Sequence, residues 1–171
     1  MTEGYEVIYA DPPWRYSFSR SKSRRVENQY ETMSMSELRD CPVPVADDAV
    51  LFLWATAPKL REALDVMKWW GFEYKTNAVW DKGRIGMGYW FRGKHELLLV
   101  GVRGKYSPPQ AKVRIPSVIS SRREQHSKKP DLVASYIRRC FPEAKRIELF
   151  ARGPREGWEV WGYEAETTDP S

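Results

Sequence analysis

Short apolar runs alternate with amphipathic stretches along this chain. "YEVIYA" (residues 5–10), "AVLFLWA" (49–55), "TNAVW" (76–80), "ELLLVGV" (96–102), "RIELFA" (146–151) and "WEVWG" (158–162) are rich in Val, Ile, Leu and aromatics. Each is bounded by Gly, Pro, Asp or Lys, and their length and content predict strands. Several are apolar throughout rather than alternating, which implies strands covered on both faces. Between Pro58 and Gly71, the residues Leu60, Ala63, Leu64, Met67 and Trp70 recur at helical spacing, and Gly71 is a natural stop. Pro130 fits the first position of a second helix, whose apolar face is Leu132, Val133, Tyr136, Ile137 and Cys140. "MSMSELRD" (33–40) supplies a shorter helical turn. Strands alternating with helices predict an α/β fold, a mainly parallel sheet with helices on both faces.

Composition narrows the reading to one globular domain. The chain has 171 residues, 42% hydrophobic and 30% charged, with no internal repeat and no linker long enough to divide it. Residues 1–164 are read as that domain and 165–171 as a loose tail. No apolar run approaches the ~20 residues that span a bilayer, and Met1-Thr2-Glu3-Gly4 lacks the plan of a signal peptide, so a cytoplasmic protein is expected. Cys41 and Cys140 have no CxxC partner, and the only histidines are His95 and His126. Neither a disulfide framework nor a metal centre is expected.

Charge changes the picture by its placement more than by its sum of +5. Arg15, Arg20, Lys22, Arg24 and Arg25 crowd "RYSFSRSKSRR", and Arg122, Arg123, Lys128 and Lys129 crowd "SRREQHSKKP". Neither stretch has hydrophobic period, so both read as exposed loops. A solvated face explains either one alone. Two such loops, with Tyr16, Phe18 and Tyr30 interleaved, point to a polyanion with unstacked bases, because cations neutralise phosphates and aromatic rings offer stacking faces.

The first strand ends in "DPPW". Ligands of open α/β sheets settle outside the carboxyl ends of the strands, and Asp11 stands at such an end. Asp-Pro is also an ordinary way to leave a strand. That account explains the first proline better than the second and says nothing of Trp14. Pro13 holds Pro12 extended and is expected to leave the Pro12 carbonyl with no local amide to claim it. A rigid carbonyl beside a carboxylate is a fixed pair of acceptors, suited to a primary amine or amide, with Trp14 available to stack on its ring.

"DPPW" resembles the catalytic motif of the MT-A70 family of S-adenosylmethionine-dependent N6-adenine methyltransferases. The likeness continues through "YETMS" (30–34), "LFLWAT" (51–56), "HELLLVGVRG" (95–104), "HSKKPD" (126–131), "RIELFAR" (146–152) and "GWEVWG" (157–162). It implies a Rossmann-like methyltransferase fold and methyl transfer to N6 of adenine, with Asp11, Pro12, Pro13 and Trp14 as the catalytic set. Asp11 and the Pro12 carbonyl would each accept one N–H of the amine as positive charge builds on it. A base inside a duplex must first be flipped out or taken from a single strand. Trp14 and Tyr30 would hold its faces, while Tyr16, Arg20, Lys22, Arg24, Arg25, Arg122, Arg123 and Lys128 would contact the nucleic acid.

For the cofactor, S-adenosylmethionine, the resemblance implies Glu148, Phe150 and Arg152 around the nucleoside, Lys129 at the methionine carboxylate, and Asp11 and Glu164 completing the site. Leu149 and Phe150 equally suit plain core strand. Glu148 is an acid in a buried run and needs a partner. The family commonly carries an amide after "GWEVWG", where this chain has Tyr163 before Glu164. Larger relatives also have an acidic segment ahead of the DPPW strand, which this sequence lacks, so modest cofactor affinity or closure by another loop is expected. His95 and Glu96 are assigned structural or substrate-positioning roles, with a general base as the alternative. DNA is expected rather than RNA, from likeness to compact bacterial and phage members. A homo-oligomer is compatible with the sequence. The alternatives are an RNA N6-adenine methyltransferase, methyl transfer to cytosine or a glutamine side chain, and a catalytically silent nucleic-acid-binding subunit of a methyltransferase complex.

Overall fold

A computed structural model describes residues 4–16, 32–121 and 128–162. Its elements run, in chain order, β1 (Tyr5–Ala10), α1 (Met35–Arg39), β2 (Val45–Ala55), α2 (Leu60–Trp69), β3 (Glu73–Asp81), β4 (His95–Arg103), β5 (Val118–Ser120), α3 (Asp131–Cys140), β6 (Arg146–Leu149) and β7 (Glu159–Trp161). The strands form a seven-stranded sheet in the order β5-β3-β4-β2-β1-β6-β7. Among the described strands β4 alone runs antiparallel to its neighbours; the β1–β2, β1–β6, β3–β5 and β6–β7 pairs are parallel.

The central strands carry long apolar runs, Val7–Ala10, Ala49–Ala55 and Leu97–Val100, because both of their faces are covered. Ile8 and Ala10 of β1, Leu51 and Leu53 of β2 and Leu99 of β4 pack with Leu38 of α1 and with Ala63, Val66 and Met67 of α2. The alternate residues Val7, Tyr9, Val50, Phe52, Trp54 and Leu98 pack on the opposite face with Val133, Ala134 and Ile137 of α3. Each large apolar side chain taken fully from water contributes about 1.5–3 kcal/mol, so these two clusters dominate the stability of the domain.

The helices obey the predicted period with a shifted phase. Leu60 and Leu64 stay exposed while Val66 is buried, and in α3 Leu132 is exposed while Ala134 is buried. Docking sets the phase: the small residues Ala63 and Ala134 are fully covered in the two core clusters. Gly71 stops α2 as expected, with φ at +85°. Its N–H donates to the Lys68 carbonyl and that of Phe72 to the Met67 carbonyl, the paired closure that favours glycine. α1 opens on a capping box between Ser34 and Glu37. Pro130 precedes α3 as its cap rather than forming its first turn.

β5 had no counterpart in the hydrophobic pattern. It is a three-residue edge strand following Pro116, placed by pairing with β3 and by the Trp80 indole, which donates to the Ser121 carbonyl at 2.8 Å. The topology gathers the carboxyl ends of six strands at one edge, joined there by the amino end of β4. β1 leads towards α1 and β2, whereas its neighbour β6 leads to β7 on the other side. The connections diverge there and leave a crevice between β1 and β6, the position where α/β sheets hold ligands. Among the described residues, no helix is long and apolar enough to cross a membrane.

Candidate active site

Asp11 and Phe150 are the first residues beyond β1 and β6, since Ala10 and Leu149 are paired in register. Phe150 has φ of 60°, a left-handed conformation that costs a bulky residue on the order of 1–3 kcal/mol. Two rings hold it there: Trp70 stacks on it with ring centroids 6.4 Å apart, and Trp161 meets it edge-on at 5.5 Å. The strained residue therefore sits at the mouth of the crevice.

Asp11, Tyr9 and Glu148 share the face of the sheet covered by α3. The Asp11 carboxylate lies 3.2 Å from the Lys129 ammonium, which is 3.1 Å from the Glu96 carboxylate. Side-chain exposures of 30% for Asp11, 13% for Lys129 and 11% for Glu96 make Asp11 the member open to a ligand. Lys129 also lies 5.6 Å above the Trp54 ring, whose indole donates to the Tyr9 hydroxyl at 2.7 Å. Lys82 approaches the other Glu96 oxygen at 3.9 Å.

Burial raises the pKa of Asp11; Lys129 pulls it back only in part, and Glu96 adds to the rise. For Lys129, burial is the largest single influence and acts downward, but Asp11 and Glu96 together outweigh it and hold the lysine charged. Among the described residues, Glu96 Oε2 has a close cation but no well-aligned hydrogen bond, so its buried acceptor capacity is unmet.

Two expectations for the DPPW turn are corrected. The Pro12 carbonyl does have a local donor: the Trp14 N–H reaches it at 2.9 Å. Pro13's fixed φ, which was expected to isolate that carbonyl, instead turns the chain back across it in a γ-turn. One lone pair of the oxygen remains for a ligand. Trp14 is only 5% exposed, its indole donating to the Trp54 carbonyl at 3.1 Å. It is a packed wall rather than an open stacking face. Its uncovered rim helps line a cavity of about 320 Å³ with Tyr16, Met33 and Lys59. Tyr16 is fixed there by a 2.7 Å hydrogen bond to Thr56 and by Lys59 over its ring.

Glu148 has the partner that a buried acid requires. Arg155 grips it with two hydrogen bonds, at 2.6 and 3.3 Å, and holds Asp131 at the start of α3 at 2.9 Å. Reading the sequence missed Arg155, although a cation close after an acid-bearing strand was a usable signal. Lys128 lies 3.4 Å from Asp131. Arg152 is exposed and near enough to Asp11 to lower its pKa slightly. The structure separates His95 from Glu96: His95 is exposed at the strand start, while Glu96 turns inward to Lys129. Lys129, assigned by likeness to the cofactor carboxylate, is paired here with two carboxylates of the protein itself. Arg20, Lys22, Arg24, Arg25, Tyr30, Arg122, Arg123 and Glu164 lie outside the described residues.

The profile of one family, MT-A70, matches residues 5–164. The chain is 37% identical over 180 residues to the type II methyltransferase M.MunI of Mycoplasma sp, covering 94% of this chain and 77% of that protein. It is 30% identical over 166 residues to the N(6)-adenosine-methyltransferase MT-A70-like of Arabidopsis thaliana, covering 90% of this chain and 23% of the relative. The human N(6)-adenosine-methyltransferase catalytic subunit METTL3 is 31% identical over 157 residues, with 86% and 26% covered. The chain thus spans most of the first relative and about a quarter of the other two.

Proposed function

The chain belongs to the MT-A70 family, and from that premise we propose that it transfers the methyl group of S-adenosylmethionine to N6 of adenine in DNA. The observation that carries the reading is Asp11 itself: a partly exposed carboxylate at the sheet's crevice, held by Lys129 beside a packed tryptophan.

The residues around the crevice fit a cofactor that carries both positive charge and hydrogen-bond donors. Asp11 and Glu148 both lie close enough to Tyr9 to act on its hydroxyl, and the buried Glu96 oxygen lacks an aligned donor. Glu148, Phe150, Arg152 and Glu164 would hold the nucleoside portion, and Lys129 the methionine end. Arg155 occupies two of the roughly four acceptor positions of the Glu148 carboxylate and leaves the others for a ribose. When bound, S-adenosylmethionine supplies a methyl group on a sulfonium, an electrophile activated by its own charge.

An exocyclic adenine amine is a weak nucleophile because its lone pair is delocalised into the ring. Asp11 accepts one N–H and the free lone pair of the Pro12 carbonyl accepts the other, which favours the pyramidal nitrogen and its growing charge. A preorganised contact of this kind is typically worth about 3 kcal/mol. Lys129 keeps Asp11 ionised and oriented, and the buried Trp14 wall limits where the base can settle. The target base enters flipped out or from a single strand.

Nucleoside mass spectrometry on DNA and RNA oligonucleotides incubated with the protein and S-adenosylmethionine tests the proposal. N6-methyladenine in the DNA is expected. Methylcytosine alone, or no product, overturns it.

A further inference from the structure

The loop joining β3 to β4, residues 82–94, ends in the most exposed aromatic group among the described residues. Tyr89, Trp90 and Phe91 are 93%, 94% and 89% exposed, with Met87 at 80% and Ile85 at 69%. Exposed large apolar side chains gathered on one loop of a folded domain mark a contact surface. Its charge says what it contacts: Arg84 and Arg92 lie on the loop and no acid does, while Lys82 and Lys94 pair with Glu96 and Asp81 at its base.

The loop is built to hold its shape. At its base the Lys82 N–H donates to the Lys94 carbonyl at 2.9 Å, and Asp81 accepts from the Gly83 N–H at 2.9 Å. Higher up, the Gly86 N–H donates to the Gly93 carbonyl at 2.6 Å, and Arg92 Nε donates to the Gly86 carbonyl at 2.9 Å. A β-carbon on Gly88 would stand 1.8 Å from the Phe91 carbonyl oxygen, so the turn that presents the three rings requires glycine. Ordering before binding removes an entropic cost that a floppy loop would meet on contact.

The loop also starts at the catalytic edge. β4 is the reversed strand, so its amino end lies beside the carboxyl end of β1, and Glu96, its second residue, is one lysine away from Asp11. We propose that Tyr89, Trp90 and Phe91 form a stacking wedge that engages bases of the DNA next to the target adenine, with Arg84 and Arg92 on the adjoining phosphates. Aromatic side chains stack on any exposed base, and apolar wedges that enter a duplex unstack the step they enter. Such a wedge stabilises the opened duplex while the base is out. The proposal rests on the DNA reading above.

The test measures binding of the full chain to a labelled adenine-containing DNA duplex by fluorescence anisotropy, across a salt series. Replacing Tyr89, Trp90 and Phe91 together by alanine is expected to weaken binding about tenfold to a hundredfold, with the salt slope unchanged. Trp90→Phe should recover most of the loss, and Arg92→Ala should lower the slope by about one. S-adenosylmethionine binding by calorimetry stays at the parent's level in all of them. Triple-variant affinity within twofold of the parent's overturns the wedge alone and leaves the DNA reading standing. A parent that binds S-adenosylmethionine but no DNA overturns both. A parent that sediments as a dimer and a triple variant that sediments as a monomer assign the rings to a second copy of the chain and overturn the wedge.

Discussion

Two chains of ions flank the crevice, each built of two acids and two cations. In one, Lys129 lies between Asp11 and Glu96, with Lys82 at the edge; in the other, Arg155 lies between Glu148 and Asp131, with Lys128 at the edge. Their behaviour differs. Asp11 has its pKa raised, burial being the main cause, whereas Asp131 has its pKa lowered, chiefly by the Arg155 hydrogen bond. The planar fork of arginine fixes two oxygens of Glu148 at once, while lysine is a compact charge that meets Glu96 without good alignment. One chain is a clasp that fixes the end of β6. The other sets an acceptor that is costly to keep charged beside a lysine shared between two carboxylates.

The largest test of that contrast is Asp11→Ala, expected to lower the rate of adenine methylation by at least about a hundredfold. Asp11→Asn should be similarly slow yet at least as stable as the parent at neutral pH. A carboxyl whose pKa is raised on folding gives up stability as pH rises through its folded value, so the advantage of asparagine should vanish below the ordinary value of 3.8. Urea unfolding at both pH values, read beside the methylation rate, checks the pair. A less stable asparagine variant would make this chain a clasp too.

Next in size is Lys129→Met, which leaves Asp11 and Glu96 buried without their shared cation. A loss of about 3–5 kcal/mol in unfolding free energy is expected. Because Lys129 lowers the pKa of Asp11, the acid limb of the parent's pH–rate profile should move upward in the variant. An unmoved limb would show that Asp11 does not control it.

Arg155→Ala should cost less, about 1–3 kcal/mol, because this chain is less buried. Arg155→Lys should restore only part, since a point charge cannot reproduce the fork. Asp131 has its pKa lowered on folding, so its contribution is present above 3.8 and is lost as pH falls through the folded value; the cost of Arg155→Ala should shrink with it. The smallest effect expected is Lys128→Ala, under about 1 kcal/mol by chemical denaturation, as its partner Asp131 is largely exposed.

Much of this was legible in the residues. The run Tyr5–Ala10 is a strand with the predicted bounds, and Gly71 ends its helix in the predicted way. Asp11 stands at a strand end because an apolar run followed by Asp-Pro leaves little choice. Pairing across distance was not legible: Lys129 meets Asp11 and Glu96 from remote parts of the chain, and no local period encodes that meeting. Trp14 was misjudged for a related reason. Exposure of an aromatic beside a turn depends on what covers it, here the Trp54 carbonyl and the Met33 segment. The phase of α2 and α3 was missed because periodicity gives an angle between residues and no origin for it.

The reversal of β4 has a consequence for how such a protein can change over generations. Glu96 is fixed by its register opposite Trp80, near the point where the loop rejoins the sheet. Lengthening, shortening or exchanging residues 83–93 would leave that register and the three-ion chain where they are. The surface that the loop presents can therefore be altered without moving Asp11, Lys129 and Glu96 relative to one another.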